Sequence, residues 1–204
     1  MRALKKMCNF DNQNPLPTVM ADVMQDNPQL VERLRNPATV RAAFADVIAL
    51  YSEPLYRQIR RMVQSHDDTN DLLQNTFMKA WSNIENFRGD ARLGTWLYKI
   101  AVNETLSFLE RERKRRGISL DDQEAALINT IEADKDIDGD MLAQRLRKAI
   151  ATLPEKQRLV FNMRYYDDMR YDQISEILGT SVGALKASYH LAVKKIEQFF
   201  SDDD

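Results

Sequence analysis

One cysteine, six glycines and six prolines are all that this 204-residue chain holds of those residue types. Cys8, being alone, excludes an intrachain disulfide and a cysteine-built zinc site. Scarce glycine and proline leave long stretches without a turn signal, which disfavours many short strands and favours helices. No uncharged apolar run approaches the roughly 18 residues of a membrane span. Residues 1–20, interrupted by Asp11, Asn12, Asn14, Pro15 and Pro17, hold no signal-peptide core. The expectation is a cytoplasmic protein without membrane insertion. His66 and His190 lie far apart and form no metal-protease spacing, and neither a nucleophile elbow nor a phosphate-cradling glycine loop is present. Those gaps point away from catalysis and from any cofactor.

What the chain does have is charge, and it is segregated. The totals, 29 basic against 31 acidic residues, nearly cancel to −2. Residues 41–116 nevertheless hold 13 basic and 10 acidic side chains, and Arg111-Glu112-Arg113-Lys114-Arg115-Arg116 packs five cations into six positions. Residues 117–140 carry eight acids against Lys135 alone. Residues 141–200 return to 10 basic and six acidic, ahead of Asp202-Asp203-Asp204. Clustered cations repel one another, and a polyanion relieves that repulsion, so the 111–116 run points to nucleic acid.

Periodicity divides the chain into two helical units. Residues 1–20 are polar and aperiodic, an arm; Asn27-Pro28 and Asn36-Pro37 each pair a capping residue with a proline suited to the first helical position. A short helix over about 28–35 follows from the first pair. Val40, Phe44, Val47, Ile48, Tyr51, Leu55, Ile59 and Val63 then mark one helical face, which Pro54 should kink or split. Asp67, Asp68 and Thr69 supply caps for a third helix, with Leu72, Leu73, Thr76, Phe77, Ala80, Trp81 and Ile84 inward and Phe87 at its end. Its other face bears Asp71, Gln74, Asn75, Met78 and Lys79. Gly94-Thr95 opens a fourth helix that Gly117 ends. The acidic stretch to residue 140 has linker composition. Beyond it Leu142, Leu146, Ala149, Ile150 and Leu153, then Leu159, Val160 and Met163, repeat at helical spacing. The fold class is all-α: two small helical domains joined by an acidic flexible linker, bounded as 1–39 (extension), 40–116, 117–140 (linker), 141–200 and 201–204 (tail).

Three motifs bear on function. Asp134 to Gly139 matches the first half of a calcium loop, but Arg145 stands where a bidentate glutamate belongs, so no metal is expected. In Gln173–Lys186, Ser175, Gly179 and the inward set Ile174, Leu178, Val182 and Leu185 satisfy a helix-turn-helix, capped by Thr180 or Ser181. Its second helix offers Lys186, Ser188, Tyr189, His190, Lys194 and Lys195, a mildly basic surface that alone binds duplex weakly. From Phe87 to Arg116, aromatics (Trp96, Tyr98, Phe108) accompany cations (Arg88, Arg92, Lys99), a combination suited to unstacked bases, although Trp96 and Phe108 taken singly read as core residues.

Three blocks in this order, Asp67–Trp81 followed by Phe87-Arg-Gly-Asp90, Thr95-Trp-Leu-Tyr-Lys-Ile-Ala-Val-Asn103, and Leu153–Phe161 with the helix-turn-helix, resemble the bacterial sigma factors of the extracytoplasmic-function (ECF) group over about residues 40–200. The resemblance implies binding to core RNA polymerase through Asp71, Gln74, Asn75 and Lys79. It implies a base-capturing loop from Arg88, Gly89 and Asp90 through Arg92. It assigns Lys99, Asn103, Arg111, Arg113, Lys114, Arg115 and Arg116 to the −10 element and its phosphates, and Lys186, Ser188, Tyr189, His190 and Lys194 to the −35 element. Promoter DNA is the further partner it implies. Apolar domain faces that the free protein must shield point to an anti-sigma factor, and the acidic linker is expected to thread the polymerase's positive interior in place of nucleic acid. The family usually carries arginines where this chain has Ser188, Leu191 and Val193. The rival expectation is a stand-alone helix-turn-helix regulator that binds duplex DNA without polymerase.

Overall fold

The computed structural model describes residues 27–87, 89, 91–116 and 141–202. The expectations for the N-terminal arm, Arg88, Asp90, the acidic linker with its calcium-like stretch, and Asp203-Asp204 lie outside the described residues. Helix α1 (Pro28–Arg35) starts where Asn27-Pro28 places it: the Asn27 side chain accepts from the Leu30 amide at 3.0 Å. Leu30 and Leu34 are buried, so part of the segment read as an extension belongs to the core. Asn36-Pro37 opens no helix. The Asn36 side chain instead accepts from the Ala38 amide at 2.9 Å in a turn, and α2 (Val40–Val63) begins after Thr39, whose hydroxyl donates to the Arg33 carbonyl at 2.8 Å.

Pro54 does not split α2, which runs unbroken through it. A mid-helix proline costs about 3 kcal/mol or more. Val47, Leu55 and Ile59, all within 1% of full burial, hold both flanks to the core at about 1.5–3 kcal/mol each. The predicted stripe is otherwise shifted at its edges: Ile48 is exposed, while Ala43 and Met62 are buried. Helix α3 (His66–Ser82) is capped by Ser65, whose hydroxyl accepts from the Asp68 amide at 3.3 Å. Asp67 and Asp68 therefore sit in the first turn, where the helix dipole favours acids, and Thr69 is buried with its hydroxyl donating to the Ser65 carbonyl at 2.5 Å. A 3₁₀ turn (Ile84–Asn86) leads through Phe87 towards α4 (Leu93–Arg116). Helices α2, α3 and α4 pack mutually, with α1 lying on α2.

The second unit comprises α5 (Met141–Ala151), α6 (Glu155–Tyr165), α7 (Tyr171–Leu178) and α8 (Val182–Asp202). Helix α8 packs on α5, α6 and α7. Between α7 and α8, Gly179 takes the left-handed conformation (φ +63°) and its amide donates to the Ser175 carbonyl at 2.9 Å, closing α7. Ser181 caps α8 by accepting from the Ala184 amide at 3.3 Å. Of the inward set, Ile174 and Leu185 are buried and Leu178 is half-buried, but Val182 is exposed. One small core joins Leu146, Ile150, Leu153, Phe161 and Ile196. The larger core is shared between units: Leu159, Val160, Met163, Ile174 and Ile177 join the residues of α1–α4, with α6 on α2 and α7 on α4.

Candidate functional site

Three exposed faces and one buried contact carry the chemistry. On α3, Asp71, Gln74, Asn75 and Met78 lie within one helical face, and all are exposed. Lys79 is engaged elsewhere: its ammonium donates to the Glu104 carboxylate of α4 at 2.5 Å, tying the two helices together. Trp81, expected inward, is 39% exposed and sets an edge against Phe44 at 5.0 Å. Met78 and Trp81 thus add an apolar margin to a face of amides.

On α4, Lys99 and Asn103 stand one turn apart and exposed, with Arg92 exposed just ahead of the helix. Trp96 is half-buried against Phe87, with the rings 5.0 Å apart and tilted by 34°. Gly89 has φ +75°, and a Cβ there would sit 2.5 Å from the Arg35 guanidinium, so α1 abuts the loop between Phe87 and α4. Towards the end of α4, Lys114 pairs with Glu110 at 2.7 Å and Arg115 with Glu112 at 2.8 Å, while Arg111 donates to the Ser107 carbonyl at 3.2 Å. The hydrogen bond from Lys114 holds the Glu110 carboxyl below the usual carboxylate range. Interleaved glutamates therefore absorb part of the repulsion that the bare run of cations suggests. Arg113 is half-buried, and Arg116 closes the helix.

On α8, Lys186, His190 and Lys194 are exposed, whereas Ser188 and Tyr189 are half-buried. The Tyr189 ring stacks on Phe161 at 5.6 Å and meets Tyr171 edge-on at 6.5 Å, which turns it into the unit rather than towards the open face. Lys186 lies 5.8 Å over the Tyr171 ring.

The sequence gives no sign of the buried contact between the units. Arg61 of α2 donates to the Asp167 carboxylate at 2.5 Å and lies over the Tyr166 ring at 4.4 Å. The Asp167 side chain is only 2% exposed; burial pushes its carboxyl above the ordinary value, against the pull of Arg61 and, further off, Arg57. Burial, seconded by the Asp167 charge, likewise raises the Tyr98 hydroxyl. Alongside, the Asn162 amide donates to the Met62 sulfur at 3.6 Å, and the buried Gln58 side chain finds no hydrogen-bond partner among the described residues. Partners so far apart in the chain leave no spacing signal to read. Among the described residues no group of His, Cys, Asp or Glu could hold a metal, and no helix is long and apolar enough to cross a membrane.

Residues 47–115 match the model of sigma-70 region 2, and residues 143–196 match that of sigma-70, region 4. The ECF RNA polymerase sigma factor SigW of Bacillus subtilis is 31% identical over 159 residues, spanning 72% of this chain and 83% of that protein. This chain belongs to the ECF sigma factors. The ECF RNA polymerase sigma-E factor of Haemophilus influenzae is also 31% identical, over 87% of this chain and 96% of its own. Two solved structures share the fold of this sigma factor at a TM-score of 0.60. One is the sigma factor RpoE in complex with the anti-sigma factor NepR from Bartonella quintana (20% identity, 79% of this chain and 98% of that one). The other is CnrH in complex with the cytosolic domain of CnrY (18% identity, 93% and 99%). Region 2 covers α3, α4 and most of α2, region 4 covers most of α5–α8, and α1 precedes both. The Arg61–Asp167 pair links region 2 to region 4 in this sigma factor.

Proposed function

We propose that this ECF sigma factor divides its work among its three exposed faces. As a sigma factor, the chain binds core RNA polymerase and directs it to promoters; it makes and breaks no bond itself. The α3 face of Asp71, Gln74, Asn75 and Met78 meets core polymerase. Lys79 serves it by fixing α3 to α4. The α4 face of Lys99 and Asn103, with Arg92 and the cations from Arg111 onward, meets the melted −10 element. The loop from Arg88 through Arg92 holds an extruded base, offsetting the few kcal/mol of unstacking. Helix α8 enters the major groove at the −35 element, where phosphate contacts position the protein and base-edge contacts specify the site. The observation that carries this reading is a single chain presenting both an open polar face on α4 and an open helix-turn-helix surface.

The protein acts in the cytoplasm, and the acidic segment 117–140 threads the polymerase interior between the two DNA-binding units. An anti-sigma factor is its further partner; the complexes of the two structural neighbours and the exposed Met78 and Trp81 support that. Co-elution with core RNA polymerase on a sizing column tests the reading. Wild-type protein is expected to co-elute, while a Gln74→Lys, Met78→Asp variant with an unchanged circular-dichroism spectrum elutes alone. Tight duplex binding by the free protein without polymerase association would instead establish the stand-alone regulator.

A further inference from the structure

The buried side of α8 is set by Leu185, Ala192 and Ile196, each within 1% of full burial. The opposite side carries Gly183, Ala184, Ala187, His190, Leu191 and Lys194, all exposed. Leu191 is 50% exposed, and a Cβ added at Gly183 would meet nothing within 4 Å. The forked donor that fits guanine O6 and N7 best is arginine, and Val182–Asp202 contains none. What α8 presents instead is alkyl carbon: Ala184, Ala187 and Leu191, three and four residues apart, form one line along the helix. Lysines 186, 194 and 195 surround that line, and the unit from 141 to 200 is basic, 10 to six. Positive flanks around an apolar centre complement the major groove of a duplex, with phosphates at its rims. Within the groove only thymine offers an apolar group, its C5 methyl.

Resting on the −35 reading above, we propose that α8 specifies the upstream element by apolar contact, Leu191 packing against the C5 methyl of thymine with Ala187 beside it. Gly183 and Ala184 leave the first turn slim enough for the backbone to approach the bases. The flanking lysines contact phosphates and carry no sequence information.

The test uses holoenzyme reconstituted from the full chain and core RNA polymerase. A promoter library randomised upstream of the −10 element is transcribed to find the enriched element. Each of its thymines is then replaced singly by deoxyuridine, which lacks only the C5 methyl. Removing one buried methyl is expected to weaken wild-type binding about fourfold at one or two positions. Leu191→Ala, at a half-exposed site that the fold does not need, should be indifferent to the same replacement. Leu191→Arg should enrich guanine where the wild type enriches thymine. An element lacking thymine, or deoxyuridine costs that are absent or equal in Leu191→Ala, overturns methyl recognition while leaving the −35 reading intact, and hands Leu191 to a protein partner. A library with no upstream enrichment overturns the −35 reading itself.

Discussion

Asp167 shows how one side chain records the state of its surroundings. With its carboxyl 2% exposed and Arg61 at 2.5 Å, it is a buried charge held by one partner. Breaking such a pair leaves the remaining charge uncompensated, so Arg61→Ala is expected to cost about 3 kcal/mol at neutral pH. The pH dependence follows from the direction of the shift. A carboxyl that holds its proton more tightly folded than unfolded adds stability below its unfolded value, and that stability is lost as pH rises through the folded value. Asp167 is already shifted upward by burial, and removing Arg61 withdraws the main opposing influence. The variant's deficit should therefore be large near pH 7 and shrink towards pH ~4, where the buried carboxyl is protonated. Urea midpoints across that range measure it; a deficit independent of pH would mean that lost packing over the Tyr166 ring, not charge, governs the contact.

Helix ends show what local sequence decides. Asn27, Ser65 and Ser181 each cap the helix that follows, and Gly179 ends α7 in the left-handed conformation that glycine tolerates best. Ser65→Ala removes the acceptor for the Asp68 amide and should lower stability by about 1 kcal/mol. A thermal melt of the variant, with Asp67→Ala as a comparison that keeps the cap, checks it. An unchanged melting temperature for Ser65→Ala would show that the 3.3 Å contact contributes nothing in solution. Capping also explains why the α3 boundary differs from the sequence reading. Asp67, Asp68 and Thr69 are all good caps by type, but Ser65 lies beside the left-handed Gln64 (φ +60°) that ends α2, and the chain turns there.

At the scale of the molecule, the two sigma regions are coupled by a shared core. Ile174 of α7 is fully buried in the cluster that also holds Leu97, Tyr98 and Ala101 of α4. Both tryptophans, Trp81 and Trp96, belong to the first unit, so their fluorescence reports on α3 and α4 alone. Ile174→Ala should cost about 2–5 kcal/mol and should lower the denaturation midpoint reported by those tryptophans, although the substitution lies in the second unit. An unshifted tryptophan midpoint would show that the units unfold separately. The contact is not uniformly apolar: Gln58, Asn162 and Asp167 all carry buried atoms without hydrogen-bond partners among the described residues. Each such atom costs about 1–3 kcal/mol, which offsets part of what the shared apolar core contributes at this junction.

Periodicity and capping by themselves determined the all-α class, the positions of most helices and the helix-turn-helix. These depend on spacing along the chain, and a residue's neighbours three and four positions away are fixed once a helix forms. The family resemblance likewise rested on short contiguous blocks. Only the tertiary structure decided which apolar residues stay outside, because Trp81, Val182 and Leu191 have the chemistry of core residues and differ from them in what packs opposite. It alone committed Lys79 to Glu104 and Arg61 to Asp167, pairs separated by 25 and 106 residues. A charge on a solvent face and a charge paired across a helix junction look alike in sequence. Their difference is set by the dielectric and the partner that folding brings to each.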